Sequence, residues 1–141
     1  MEIQVQMMPD SLFVWVPLFL AYAGTAAVLT PVYIVVYMWV TPHPEITLIR
    51  ENNLAAAVAF GGSLLGFCLP LANTIAGSIN LLDCVLWGLI ALVVQILIYF
   101  LARLPMPKIS ERIENGELAS GVWLGSASLA GGLLNAACMT Y

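Results

Sequence analysis

Four stretches of this chain carry no Asp, Glu, Lys or Arg at all: residues 11–44, 52–82, 84–102 and 118–141. A helix that crosses the hydrocarbon core needs about 20 consecutive apolar residues, and each stretch can hold one. Only 9% of the residues are charged, 62% are hydrophobic and mean hydropathy is +0.98, which leaves too little polar surface to cover a water-soluble core of this size. A soluble enzyme, a disordered tail and a nucleic-acid binder are thereby excluded, the last because four scattered Lys/Arg make no phosphate-binding patch. The expected fold class is an all-α polytopic membrane protein with four transmembrane helices at about 17–40, 53–74, 81–102 and 118–139, in one domain covering 1–141.

Punctuation sets the limits of each helix. Pro9, Asp10 and Ser11 offer a turn and caps before the first span, and the Thr41-Pro42-His43-Pro44 run stops it. Pro31 lies inside that span and interrupts its hydrogen-bond ladder. Pro70, Asn73, Thr74, Gly77, Ser78 and Asn80 crowd the end of the second span, where helix is expected to give way to an external loop. Asn80 then caps the third span, with Asp83 at its third helical position. Pro105 and Pro107 close it.

The cations are one-sided. Arg50 lies between spans one and two, and Arg103, Lys108 and Arg112 between spans three and four, while the other side has only Glu2, Asp10 and Asp83. By the positive-inside rule the loops at 41–52 and 103–117 face the cytoplasm and both termini face the opposite side. Phe13, Trp15, Trp87 and Tyr141 are expected at the outer interface, and Tyr37, Trp39, Tyr99, Phe100 and Trp123 at the inner one.

The chain also matches itself at an offset of 64: Gly24 meets Gly88, Ile49 meets Ile113, Leu54-Ala55 meets Leu118-Ala119, and Gly61 meets Gly125. The units are about 12–76 and 80–141. Two helices per unit give both copies one orientation, so the expected arrangement is two parallel helical hairpins. Helices in lipid associate through close backbone approach at small residues. Gly61, Gly62 and Gly66 on span two, with Gly121, Gly125, Gly131 and Gly132 on span four, are therefore the expected helix-packing residues.

The run Leu48-Ile49-Arg50-Glu51-Asn52-Asn53-Leu54, the stretch Gly61-Gly62-Ser63-Leu64-Leu65-Gly66-Phe67-Cys68-Leu69-Pro70, Asp83 with Trp87-Gly88, and the ending Ala130-Gly131-Gly132-Leu133-Leu134-Asn135 resemble the small bacterial inner-membrane proteins of the YjfL type. That family is a domain of unknown function that often occurs in tandem. The resemblance implies a bacterial inner membrane, four crossings and a setting beside phage-shock-type coat proteins and ATP-grasp-like ligases. It supplies no catalytic residue.

Few residues carry chemistry. Asp83, Gln95, Asn73 and Asn135 are the polar groups of interest, each open to an ion or solute role or to a structural one: Asp83 as a helix cap, Gln95 as an interhelical hydrogen bond, and the two asparagines (with Thr74 and Thr140) as helix-end bonds or a small polar pocket. His43 has no partner in the sequence and reads as a solvated loop residue. Cys68, Cys84 and Cys138 have neither disulfide nor metal spacing and read as small buried hydrophobes. No cofactor, metal or catalytic motif is present, so no enzyme is expected. Two function classes stand: a non-catalytic membrane anchor or scaffold of an envelope or stress-related system, and a small ion channel or transporter acting as an oligomer. The expected partners are the lipid bilayer, a cytoplasmic protein at loops 41–52 and 103–117, and a second copy of the chain, with no nucleic acid.

Overall fold

Caps and prolines divide the described residues into six helices. The computed structural model describes the backbone of residues 2–139 and the side chains of residues 11–139, which leaves the expectations on Thr140, Tyr141 and the side chains of Glu2 and Asp10 outside the described residues. The elements are α1 Glu2–Val40, α2 Glu45–Arg50, α3 Leu54–Gly77, α4 Leu81–Arg103, α5 Ile109–Glu114 and α6 Leu118–Cys138. Among the described residues there is no strand. Three segments are long and apolar enough to cross a membrane: Ser11–Val40, Leu54–Gly77 and Leu81–Arg103. α6 is 21 residues long, but its glycines and serines dilute its hydropathy and it falls outside that set.

Two helix ends differ from the sequence expectation. No helix start falls at Pro9, Asp10 and Ser11, where the sequence suggested one, because the α1 backbone runs through them unbroken. α3 likewise passes through Pro70 to Gly77 and leaves a connection of only Ser78, Ile79 and Asn80. One proline forfeits one backbone hydrogen bond, whereas ending a helix inside an apolar medium would strand several, so continuing costs less. At Pro70 the carbonyl deprived of its donor is that of Gly66, and this oxygen is pressed against Gly132 of α6. Its neighbour there is a glycine backbone, suited to a weak Cα–H contact.

The Ser11–Val40 segment alone is about 45 Å long at 1.5 Å per residue, well beyond a hydrocarbon core of about 30 Å. Its first half has Phe13, Trp15 and Phe19 fully open. Its second half buries Leu29, Tyr33 and Tyr37 at four-residue spacing. Leu29 lies over Gly88 of α4, and Tyr33 stacks on Phe67 of α3 with ring centroids 4.4 Å apart. α3 and α6 share the most extensive contact in the fold, α4 touches both, and α1 lies against α3 and α4.

The two short helices repeat each other in position and in the way they end. α2 and α5 begin and end 64 residues apart. Each is followed by one residue in the left-handed region, Asn52 at φ 64° and Gly116 at φ 79°. Asn53 N–H bonds the Leu48 carbonyl and Glu117 N–H bonds the Arg112 carbonyl, both at 2.9 Å. Asn52 N–H bonds the Ile49 carbonyl and Gly116 N–H bonds the Ile113 carbonyl, both at 3.0 Å. These are paired Schellman-type endings, which satisfy the last carbonyls of a helix. The side chain of Asn53 caps α3 by accepting from Ala56 N–H at 3.0 Å and ties it to α5 by donating to the Ile113 carbonyl at 2.8 Å.

Candidate functional site

Two regions concentrate the unusual chemistry: the seam between α3 and α6, and a buried polar cluster at the end of the bundle that carries the cations.

The seam is backbone against backbone. A methyl group added at Gly62 would fall on the backbone of Gly125, one at Gly121 on Ala55, one at Gly125 on the Val58 carbonyl, and one at Gly132 on Gly66. The contacts climb both helices in step, so α3 and α6 run parallel. Gly131 instead faces Ile98 of α4, and Gly61 meets open space. Gln95 of α4 reaches into the notch at Gly66 and donates from Nε2 to the Ser128 carbonyl at 2.9 Å. Asn73 donates to the Ala136 carbonyl at 2.8 Å, a second tie between α3 and α6. Asn135 is half-buried, and its Nδ2 has no acceptor among the described residues. Asp83 forms a variant of the capping box: Asn80 Oδ1 accepts from its N–H at 2.9 Å, and its Oδ2 accepts at 3.1 Å from the N–H of Ile79, the residue before the cap. Cys84 is buried, Cys68 half-buried and Cys138 exposed, so the expectation of three buried thiols fails at Cys138.

The polar cluster overturns the reading of His43 as a solvated residue. The two prolines flanking it bend the α1–α2 connection inward, and His43 is 1% exposed. Its Nε2 lies 3.2 Å from Oε1 of Glu45, which is also 1% exposed. Its Nδ1 lies 3.1 Å from Ser110 Oγ on α5. Burial pushes the imidazole down to about 4. Burial pushes the Glu45 carboxyl up to about 7, held back in part by the Thr41 hydroxyl and its own backbone N–H. Both groups are thus mostly or partly neutral at pH 7. Tyr37 and Tyr99 complete the cluster, their rings 5.5 Å apart and edge-on. They are core residues, not members of the inner aromatic belt where the sequence put them; Trp39 and Trp123 do reach the surface. Arg103 sits over the Tyr99 ring, 5.7 Å from its centroid. Beside the cluster opens a cleft of about 630 Å³, lined by Pro42, Phe100, Arg103, Lys108, Ser110 and Glu111 among others. Among the described residues no group of three or more His, Cys, Asp or Glu is placed to hold a metal ion.

Glu45 and Ser110 escape sequence reasoning because their partner is 2 residues away in one case and 67 in the other. The one available signal is the short polar-apolar segment that follows each Pro-rich break, since both residues fall in it.

Long apolar helices joined by backbone-level packing, with polar groups confined to caps, seams and one end, define an integral, multi-pass α-helical membrane protein. Within that class the chain belongs to the family described as Domain of Unknown Function (DUF350), which matches residues 8–139. It is 43% identical over 123 residues to the UPF0719 inner membrane protein YjfL of Escherichia coli K12, covering 87% of this chain and 93% of that protein, with the same figures for YjfL of strain O157:H7. It is 31% identical over 103 residues to the UPF0719 transmembrane protein YshE of Bacillus subtilis, covering 72% of this chain and 77% of that one. No solved structure matches.

Proposed function

We propose that this protein is a non-catalytic membrane anchor or scaffold of an envelope or stress-related system, crossing the inner membrane four times as two parallel hairpin repeats. Both termini face the periplasm and the α2 and α5 turns face the cytoplasm. The identical 64-residue spacing of α2 with α5 and of α3 with α6 supports the repeat, and Arg50, Arg103, Lys108 and Arg112 at the turns support the orientation.

The observation that carries the anchor reading is the tie from Asn53 to the Ile113 carbonyl, which fixes α2, α3 and α5 to one another. The result is a preformed face with Thr47, Arg50, Glu51, Glu114 and Glu117 exposed on it. A rigid, mixed-charge surface of this kind suits docking by a soluble protein, since little ordering entropy remains to be lost on binding.

Conduction through a single protomer has no support, because the bundle axis is filled by the α3–α6 backbone contact. The alternative, a channel or transporter, therefore requires a path between copies of the chain.

Photo-crosslinking in native membranes tests the choice. A photoreactive residue at Thr47 or Glu114 should capture one soluble partner, and one at the lipid-facing Leu86 should not. Ion flux into proteoliposomes that depends on Asp83 or Asn135 would replace the anchor with the channel. Reporter fusions placing residue 108 and the C-terminus in one compartment would remove the four-crossing topology.

A further inference from the structure

An anchor has no need of an acid and an imidazole sealed together, and the geometry around His43 has its own chemical logic. Both ring nitrogens have a polar neighbour: Nδ1 is hydrogen-bonded with Ser110 Oγ at 3.1 Å, and Nε2 lies 3.2 Å from Glu45 Oε1 without the alignment of a hydrogen bond. Once the Glu45 carboxyl and the ring turn into line, each pair takes one hydrogen between its two heavy atoms. Two arrangements supply it, and they differ by a single proton.

In the loaded arrangement the Glu45 carboxylic acid donates to Nε2, and Nδ1–H donates to Ser110 Oγ. In the empty arrangement Nε2–H donates to the Glu45 carboxylate, and the Ser110 hydroxyl donates to Nδ1. Both use the same two contacts and require no movement beyond that alignment of the Glu45 carboxyl with the ring. A proton arriving at Nδ1 while the Nε2 proton passes to Oε1 converts the second into the first, and the reverse transfer releases it. The imidazole exchanges tautomers and stays neutral at both ends.

We propose that His43, Glu45 and Ser110 form a proton-binding site, in which Glu45 holds one exchangeable proton that passes through the His43 ring from the cleft that Ser110 lines. Ser110 is the half-buried member of the three and a wall of the cleft of about 630 Å³, so it marks the entry. His43 and Glu45 are each 1% exposed. Burying the empty site means burying one net negative charge, which favours the loaded form. The carboxyl pushed up to about 7 agrees with exchange near neutrality.

The surrounding groups bias the site without replacing it. Tyr33 and Tyr37 from α1 and Tyr99 from α4 lie within electrostatic reach of Glu45. Arg103 of α4 is next to Tyr99, and Lys108 and Glu111 flank the Ser110 side of the cleft. From α3 the neighbour of Tyr37 is the uncharged ring of Phe60.

Infrared spectroscopy with ¹³C-labelled glutamate side chains, on the full chain in lipid nanodiscs across about pH 5–9, reads the site directly. One protonated glutamic acid band should fade with a midpoint near neutrality. Glu45→Gln should remove the band, and Glu45→Asp should exchange it for an aspartic acid band that the glutamate label does not shift. Ser110→Ala should keep the band with its midpoint little changed, because the loaded and empty forms each lose one partner at Nδ1, and should slow the band's response to a pH jump several-fold, because the entry from the cleft loses its hydroxyl. A glutamate spectrum already fully ionised at the acid end, or a labelled band that survives Glu45→Asp, overturns the site. A response to the pH jump as fast in Ser110→Ala as in the wild type overturns the relay. Circular dichroism of each variant confirms that the helices persist, and the wild-type spectrum decides the first point even where Glu45→Gln does not fold.

Discussion

The α3–α6 seam and the His43–Glu45 turn solve opposite problems at the two levels of the same bundle. Along the seam, stability comes mainly from bringing backbones together, with glycines at points where a methyl group would strike the facing chain and with Asn73 and Gln95 adding polar ties. At the turn, the backbone is irregular and side chains do the joining, through one imidazole shared between a carboxyl and a hydroxyl. In lipid, helix association has no hydrophobic drive behind it, so contact distance decides the seam. At the turn protonation decides, because a buried charge is costly unless matched.

The largest effect should come from filling the seam. Gly132→Leu drives a side chain into the Gly66 backbone, which cannot give way as a flexible side chain would, and should destabilise by about 3 kcal/mol or more. Thermal unfolding in detergent, followed by tryptophan fluorescence, checks this. Gly61→Ala is the control on the same helix: Gly61 meets open space, and alanine favours helix by up to about 1 kcal/mol, so this variant should unfold no earlier than the wild type. A Gly132→Leu protein as stable as wild type would mean that α3 and α6 do not touch.

The turn answers to pH. Unfolded His43 titrates near 6.5 and native His43 near 4, so the unfolded chain binds more protons in that interval and His43 makes the protein more stable as pH rises through it. Glu45 does the reverse: its native value of about 7 lies above the unfolded 4.5, so its contribution is lost as pH rises between them. From pH 4.5 to 6.5 the two slopes oppose and the wild type should be nearly flat. Glu45→Gln should expose a stability that rises with pH, and His43→Gln one that falls. Slopes of one sign in both variants would break the pairing. The slope in either variant should be at most about 1.4 kcal/mol per pH unit, which over this interval stays below the seam effect.

How much of this was legible in the sequence follows from the range of each interaction. The caps at Asn53 and Asn80 depend on residues three positions away, and the Pro-rich stop after Val40 is local too, so those helix ends can be read directly. The glycine seam is half legible. Four-residue spacing names the candidates, but Gly61 and Gly62 point about 100° apart on a helix, and Gly131 and Gly132 do likewise. In each pair only one can face the same partner, and only the fold says that Gly62 and Gly132 do so. The turn was not legible. His43 between two prolines looks solvated until α5, more than sixty residues on, supplies Ser110. Tyr37 and Tyr99 looked like interface aromatics because hydropathy records depth along the membrane normal and is blind to which side of a helix faces inward.

A third, weaker tie lies between the two regions. Gln95 joins α4 to the seam by its bond to the Ser128 carbonyl, fully buried. Gln95→Leu should cost about 0.6–2 kcal/mol, the range for interhelical hydrogen bonds in membranes. A variant as stable as wild type would show that α4 is held by apolar contact alone.

The smallest effect belongs to Asp83, and it separates a structural carboxylate from a functional one. Asp83 is half-buried, its N–H is held by Asn80 Oδ1, and its Oδ2 accepts from Ile79 N–H. Asp83→Asn keeps an acceptor for Ile79 N–H and leaves the Asn80 bond to the backbone untouched, so only the attraction of a charge to the helix N-terminus is lost, about 0.3–1 kcal/mol. Asn80→Ala removes the acceptor itself and should cost about 1 kcal/mol. Unfolding of both variants should therefore rank Asn80→Ala below Asp83→Asn, and Asp83→Asn barely below the wild type. The opposite ranking would mean that the charge of Asp83 is worth more than its geometry as a cap, the property expected of an ion site.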